Sequence, residues 1–151
     1  MSSKYDALLG DQMDESGIQN LLTEQGVGVL SMANDGVPYG IPLSFGYDGE
    51  EYIYFLFVGY SEDWRKVTFA EQSDEVSFLV FDVESDERWR SAIVTGSLDR
   101  ITPDRWGPAR EAMTDNAYRP NLLREFDEQG DPHVWGLEIE SMAGRAIGLD
   151  E

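Results

Sequence analysis

The chain has 151 residues, 41% hydrophobic and 12% aromatic, enough apolar side chain for one core and a single domain spanning 1–151. Eleven Lys+Arg against 30 Asp+Glu give a formal net charge of -19, which repels nucleic acid and anionic lipid. The absence of cysteine excludes disulfides, thiolate metal sites and cysteine nucleophiles, and a single histidine, His133, cannot build a histidine-based metal site or relay.

Acids recurring in "DGEE", "SDE" and "ESDE" form a solvated surface pattern that resembles proteins of salt-loving organisms. The most apolar run, Tyr52 to Tyr60, falls well short of the roughly 20 residues that span a bilayer, and residues 1–17 lack a signal-peptide core. The expectation is a soluble, cytoplasmic protein with no nucleic-acid or membrane partner.

Residues 1–13 read as a polar, flexible lead. "DESGIQNLLTEQG" then sets Ile18, Leu21 and Leu22 at helical spacing, with Asp14 or Ser16 as N-cap and Gly26 as stop. At Val27 the period changes: "VGVLSMA" is a strand, "NDG" (Asn34 to Gly36) a tight hairpin turn, and "VPYGIPLSFGY" the return strand. Pro38 and Pro42 cannot donate to a ladder, so that strand is irregular, bulged or at an edge. "YDGEE" turns the chain into the apolar strand "YIYFLFV". Ser61 caps a short helix reaching about Glu71, and "EVSFLVFDV" and "RWRSAIVTGSLDRI" are strands separated by the acidic loop "ESDE".

Thr102, through its hydroxyl, and Pro103 start a helix that runs to about Thr114, and "NLLREFDEQG" is helical or irregular. His133 follows "GDP" in a loop, after which "VWGLEIESM" is a closing strand, with "AGRAIG" behind it. Strands in succession with helices at the start, middle and late chain predict a mainly β fold, an antiparallel barrel with helical insertions.

Common catalytic sites are missing. No G-x-S-x-G elbow is present, and "GVGVLS" follows a helix and enters a strand, the reverse of the dinucleotide-binding order. Carboxylates are too numerous for spacing to single out a catalytic pair. Arg65 and Lys66 stand out as the one adjacent basic pair in an acidic chain, beside a predicted helix start, where cations and donors together suit a phosphate.

The order of a proline-containing strand, a turn, an aromatic strand, a basic pair, a short helix, then "EVSFLVFDV" and "WRSAIVTGSLDRI" resembles the FMN-binding split β-barrel family that includes pyridoxamine 5'-phosphate oxidase. The likeness covers about Asp14 to Ile101 and, more weakly, "VWGLEIESMAGRAIG". It implies an antiparallel split β-barrel with short flanking helices that works as a homodimer, with FMN across the interface. It also implies a small-molecule substrate or electron donor.

By the same resemblance the phosphate lies on Arg65 and Lys66, and Ile41, Pro42, Leu43 and Ser44 flank the flavin through backbone groups. Phe55 to Phe57 lie along it, and Trp89, Arg90 and Ser91 face the cofactor region. The deazaflavin F420 in place of FMN, and a non-enzymatic flavin- or haem-binding role, remain open alternatives. Trp64 replaces the small residue that often precedes the basic pair, and Ser73–Asp74 replaces the usual Asn-Pro. The tail lacks the tryptophan- and arginine-rich segment that holds phosphorylated pyridoxine, which argues against strict pyridoxamine phosphate oxidation.

Overall fold

Ile18, Leu21 and Leu22 are buried side by side, and their shared face makes α2 (Glu15–Glu24) the plug of one end of a β-barrel. The computed structural model describes residues 6–57, 65–116 and 133–148. Of the two expected caps, Asp14 acts, its Oδ1 accepting from the Gly17 N–H at 2.8 Å. The helix stops one residue before the expected Gly26. Gln25 is already extended, and the chain enters β2 (Val27–Asn34) without a left-handed glycine.

Asp35 and Gly36, at φ 53° and 77°, turn β2 into β3 (Val37–Tyr47). Two consecutive positive φ values give the twist a tight hairpin needs, which glycine adopts without strain. The Asp48 carboxylate then gathers the N–H groups of Glu50, Glu51 and Tyr52 at 2.8–3.0 Å, starting β4 (Tyr52–Phe57). Helix α3 (Arg65–Gln72) follows; the Ser61 cap expected for it lies outside the described residues. Strand β5 (Val76–Ser85) outlasts its expected end and leaves a turn at Asp86–Glu87 before β6 (Arg88–Ile101).

Pro103–Arg105 form a 3-10 turn leading into α4 (Trp106–Asn116). The Thr102 hydroxyl does not cap this turn as expected, because it bonds the nearer Asp104 carboxylate instead. "NLLREFDEQG" lies outside the described residues.

The last strand, β7, runs from His133 to Ile147, so His133 pairs in the sheet rather than sitting in a loop, and "AGRAI" continues the strand. Pairing with β6 over the whole span from Trp89 to Ile101 supplies the N–H and C=O partners that keep it extended. The expected lead also carries structure: α1 (Asp6–Leu9), then β1 (Asp11–Gln12) paired with Ala146 and Arg145 of β7.

Six long strands run in the order β7-β4-β3-β2-β5-β6, and β6 pairs back to β7, closing an antiparallel barrel with short flanking helices. This is the fold class the sequence predicts. Two seams are short. Among the described residues β3 pairs with β4 at Phe45–Tyr47, with the Asp48 N–H donating to the Tyr52 carbonyl beyond, and β2 pairs with β5 at Val29–Ser31.

Inside, Phe45 and Phe55 pack edge-on against Phe78 with centroids 4.9 and 5.0 Å away, and Leu30, Ile53, Val80 and Leu137 fill the space between strands. Each such buried side chain contributes about 1.5–3 kcal/mol. Outside the barrel, α4 buries Ala109, Ala112 and Met113 against Tyr54, Leu56 and Val134. The Trp106 indole N–H fastens the start of α4 by donating to the Ile101 carbonyl at 3.0 Å.

Candidate functional site: an open strand edge beside an apolar outer face

Alternation along β3 decides which groups it offers. Tyr39, Ile41 and Leu43 pack against the core, so Pro38, Gly40, Pro42 and Ser44 face outward. The Phe45 N–H donates toward β2, to Gly26 O, at 3.1 Å. In an antiparallel ladder the even-numbered residues therefore turn their backbone groups away from β2.

Among the described residues no strand pairs with Val37–Ser44 on that side, because the β4 pairing begins at Phe45. Pro38 and Pro42 sit at edge positions where no ladder N–H is required, which resolves the irregularity expected from them. The edge presents the Gly40 N–H and the carbonyls of Pro38, Gly40 and Pro42. An ideal Cβ on Gly40 would find nothing nearer than 3.8 Å, so a flat molecule can approach the backbone there.

Across the gap from this edge, β4 continues past the seam as Leu56 and Phe57. Phe55 and Phe57 themselves point into the barrel and are fully buried, Phe57 tilted against Trp135 at 6.0 Å. Their N–H and C=O groups turn toward β7, and toward the gap β4 presents the backbone of Leu56. Arg65 and Lys66 occupy the first turn of α3, and their side chains lie outside the described residues.

The expected Trp89–Arg90–Ser91 group is divided by strand alternation. Trp89 and Ser91 face outward, whereas Arg90 points inward at the barrel mouth. There its Nη2 meets Glu24 Oε2 at 2.5 Å and Asp82 Oδ2 at 3.3 Å. Ser44 pairs with Val27 of β2 and Ser91 with Phe81 of β5, and both serines lie on the outward face three strand spacings apart, about 14 Å. One chain thus brings Pro42, Leu43, Ser44 and the β4 backbone together and leaves Trp89 and Ser91 at a distance on the same face.

That face is apolar. A neighbouring row reads Pro42–Val29–Leu79–Ile93–Ala143, and Phe81, Val83 and Ile93 are 49%, 64% and 50% exposed. Sequence reasoning did not single these residues out. The signal was in "SFLVFDV", whose outward positions Leu79, Phe81 and Val83 are as apolar as its inward ones, a sign of a strand covered on both sides. Among the described residues no group of acids or His133 could hold a metal ion, and no helix is long and apolar enough to cross a membrane.

Comparison with known proteins places this geometry. The family model described as pyridoxamine 5'-phosphate oxidase matches residues 14–146. A protein of Rhizobium meliloti (strain 1021) is 22% identical, over 92% of this chain and 96% of its own. Among solved structures, an FAD-binding protein from Mesorhizobium loti superposes with a TM-score of 0.69 at 22% identity, covering 91% of this chain and 98% of that one. An FAD and heme binding protein from Mycobacterium smegmatis gives 0.68 at 18% identity, covering 93% and 75%.

Proposed function

Because the chain belongs to the pyridoxamine 5'-phosphate oxidase family, we propose that it is an FMN-dependent oxidoreductase in which two copies share each flavin site. The observation that carries this reading is the open β3 edge, where Pro38 and Pro42 stand beside an accessible Gly40 backbone, opposite the β4 gap.

These groups fit a flavin. The Gly40 N–H and the neighbouring carbonyls complement the acceptors and donor on the pyrimidine edge of the ring. Pro42 and the apolar row beside it suit its flat body. Arg65 and Lys66, at the start of α3, would hold the phosphate by charge and forked donors. Bound there, the flavin supplies one- and two-electron transfer, and the chain supplies binding, orientation and exclusion of water. No side chain of this chain is required as a general base.

The second copy follows from the 14 Å problem. Laid face to face on Phe81, Val83 and Ile93, it would bring its own Trp89 and Ser91 toward the gap while covering apolar surface. The FAD-binding neighbours make FAD the nearest variant of the same reading, with F420 as the deazaflavin alternative. The test is purification in molar salt, an absorbance spectrum, and the mass of the released cofactor. An FMN mass supports the reading, an FAD or F420 mass reassigns the cofactor, and a chain that takes up no flavin defeats it.

A further inference from the structure

Arg90 is also part of a second concavity, at the barrel mouth, where the tip of the Trp89 ring lies against Gly10 of its lining. Residues of the N-terminal strand, the α2 face around Gly17 and Asn20, the Asp86–Glu87 turn and the end of β7 enclose a cleft of about 1040 Å³, with Arg90 in its wall. We propose that this cleft is a second small-molecule site, distinct from the flavin gap, for a neutral ligand that carries a carboxamide or similar carbonyl acceptor on a flat apolar body, with Arg90 as the recognising donor.

Three observations set that chemistry. First, the Arg90 side chain keeps 14% of its surface exposed and commits only Nη2, to Glu24 and Asp82. Nε and Nη1 meet no acceptor among the described residues. A guanidinium presents its donors in a rigid fork, and the carbonyl oxygen of an amide is a good acceptor for it.

Second, Arg90 is already flanked by two carboxylates, and although Arg145 and Arg88 donate to the Gly10 and Gly148 carbonyls at the rim, Asp11, Asp14, Asp86 and Glu87 line the same cleft and keep acids in excess. An anionic acceptor would be repelled where a neutral one of the same shape is not. Third, Leu8, Met13, Ala146 and Ile147 supply apolar wall. That combination suits a planar body with one polar end.

The test uses the full chain with benzamide and benzoate, which share a shape and differ in charge, followed by ligand-observed magnetic resonance and titration at moderate salt. Benzamide is expected to bind saturably, and benzoate about tenfold or more weakly. Arg90→Lys keeps a cation opposite Glu24 and Asp82 but loses the fork, and should weaken benzamide by about tenfold. Should that variant fold poorly, Asn20→Trp, at an exposed position of α2 one turn before Glu24 and lining the cleft, blocks the space while keeping Arg90, Glu24 and Asp82. No benzamide binding, equal binding of benzoate, or parent-like binding in Asn20→Trp would each overturn the proposal. Flavin content stays unchanged in either variant if the two sites are separate.

Discussion

Gly46 of β3 and Met113 of α4 meet backbone to backbone: a Cβ on Gly46 would stand 2.5 Å from the Met113 nitrogen and 2.6 Å from the Ala112 carbonyl carbon. Helix α4 is seated directly on the sheet because no side chain intervenes. Gly46→Ala is therefore expected to lower stability by about 1–3 kcal/mol, since the added methyl meets main chain that cannot step aside. Thermal unfolding measures it, and an unchanged melting temperature would mean that α4 does not pack here.

Lys66→Ala is expected to weaken FMN by roughly tenfold to a hundredfold, the loss of one charge-assisted contact of about 1.5–3 kcal/mol, while barely affecting riboflavin, which lacks the phosphate. Fluorescence titration of both ligands gives the comparison. Equal losses for the two would detach the Arg65–Lys66 pair from the phosphate.

The apolar outer face yields a third expectation. Ile93→Asp puts a charge within the row running from Pro42 to Ala143 and should convert a dimer into a monomer with its barrel intact. Light scattering in molar salt reads the mass and circular dichroism the fold. A parent protein that is monomeric while holding flavin would refute the shared site.

Stability should also respond to alkali. Burial, and then the nearby Asp48 carboxylate, raise the Tyr47 and Tyr54 phenols above their ordinary pKa. The folded chain holds these protons more tightly than the unfolded chain, whose tyrosines titrate near 10. Their contribution is thus complete below about pH 10 and is lost as pH rises through the higher folded values. The melting temperature should fall above that pH, and less steeply in Tyr54→Phe. An identical fall in that variant would assign the loss to other groups.

Salt should act in the opposite sense to its usual effect on ion pairs. With 30 acids against 11 cations, self-repulsion dominates, and it reaches further as the screening length grows from about 3 Å at molar salt to about 10 Å at a tenth molar. The melting temperature is expected to rise with salt. A flat or falling curve would remove the halophilic reading of the acidic surface.

Much of this architecture was legible in the sequence because local chemistry and fold agree. Asn34–Asp35–Gly36 demands a tight turn, Ile18, Leu21 and Leu22 demand a buried helix face, and Pro42 demands an edge. What escaped was set by partners distant in the chain. The length of β7 depends on its pairing with β6, and Thr102 found Asp104 closer than the backbone it was expected to cap. The site was half legible. The prolines put residues 42–44 on an open strand edge, but nothing local revealed that Arg90 turns to Glu24 while its neighbours face out, because that depends on where α2 ends.

The β2–β3 hairpin is stitched to the rest of the barrel by two short seams, at Val29–Ser31 on one side and Phe45–Tyr47 on the other, with Ser73 Oγ clasping the Ala33 N–H and carbonyl near its tip. Few hydrogen bonds must break to release it, whereas β6 and β7 can part only by breaking a ladder that runs along their length. The Gly40 amide, unpaired among the described residues, should accordingly exchange with little opening, the amides of the two short seams through openings far less costly than global unfolding, and those of β6 and β7 only with it. The hairpin is then a hinged flap on a rigid frame, and a ligand gripping its open edge would register first as slowed exchange there, before any change in the melting of the whole molecule.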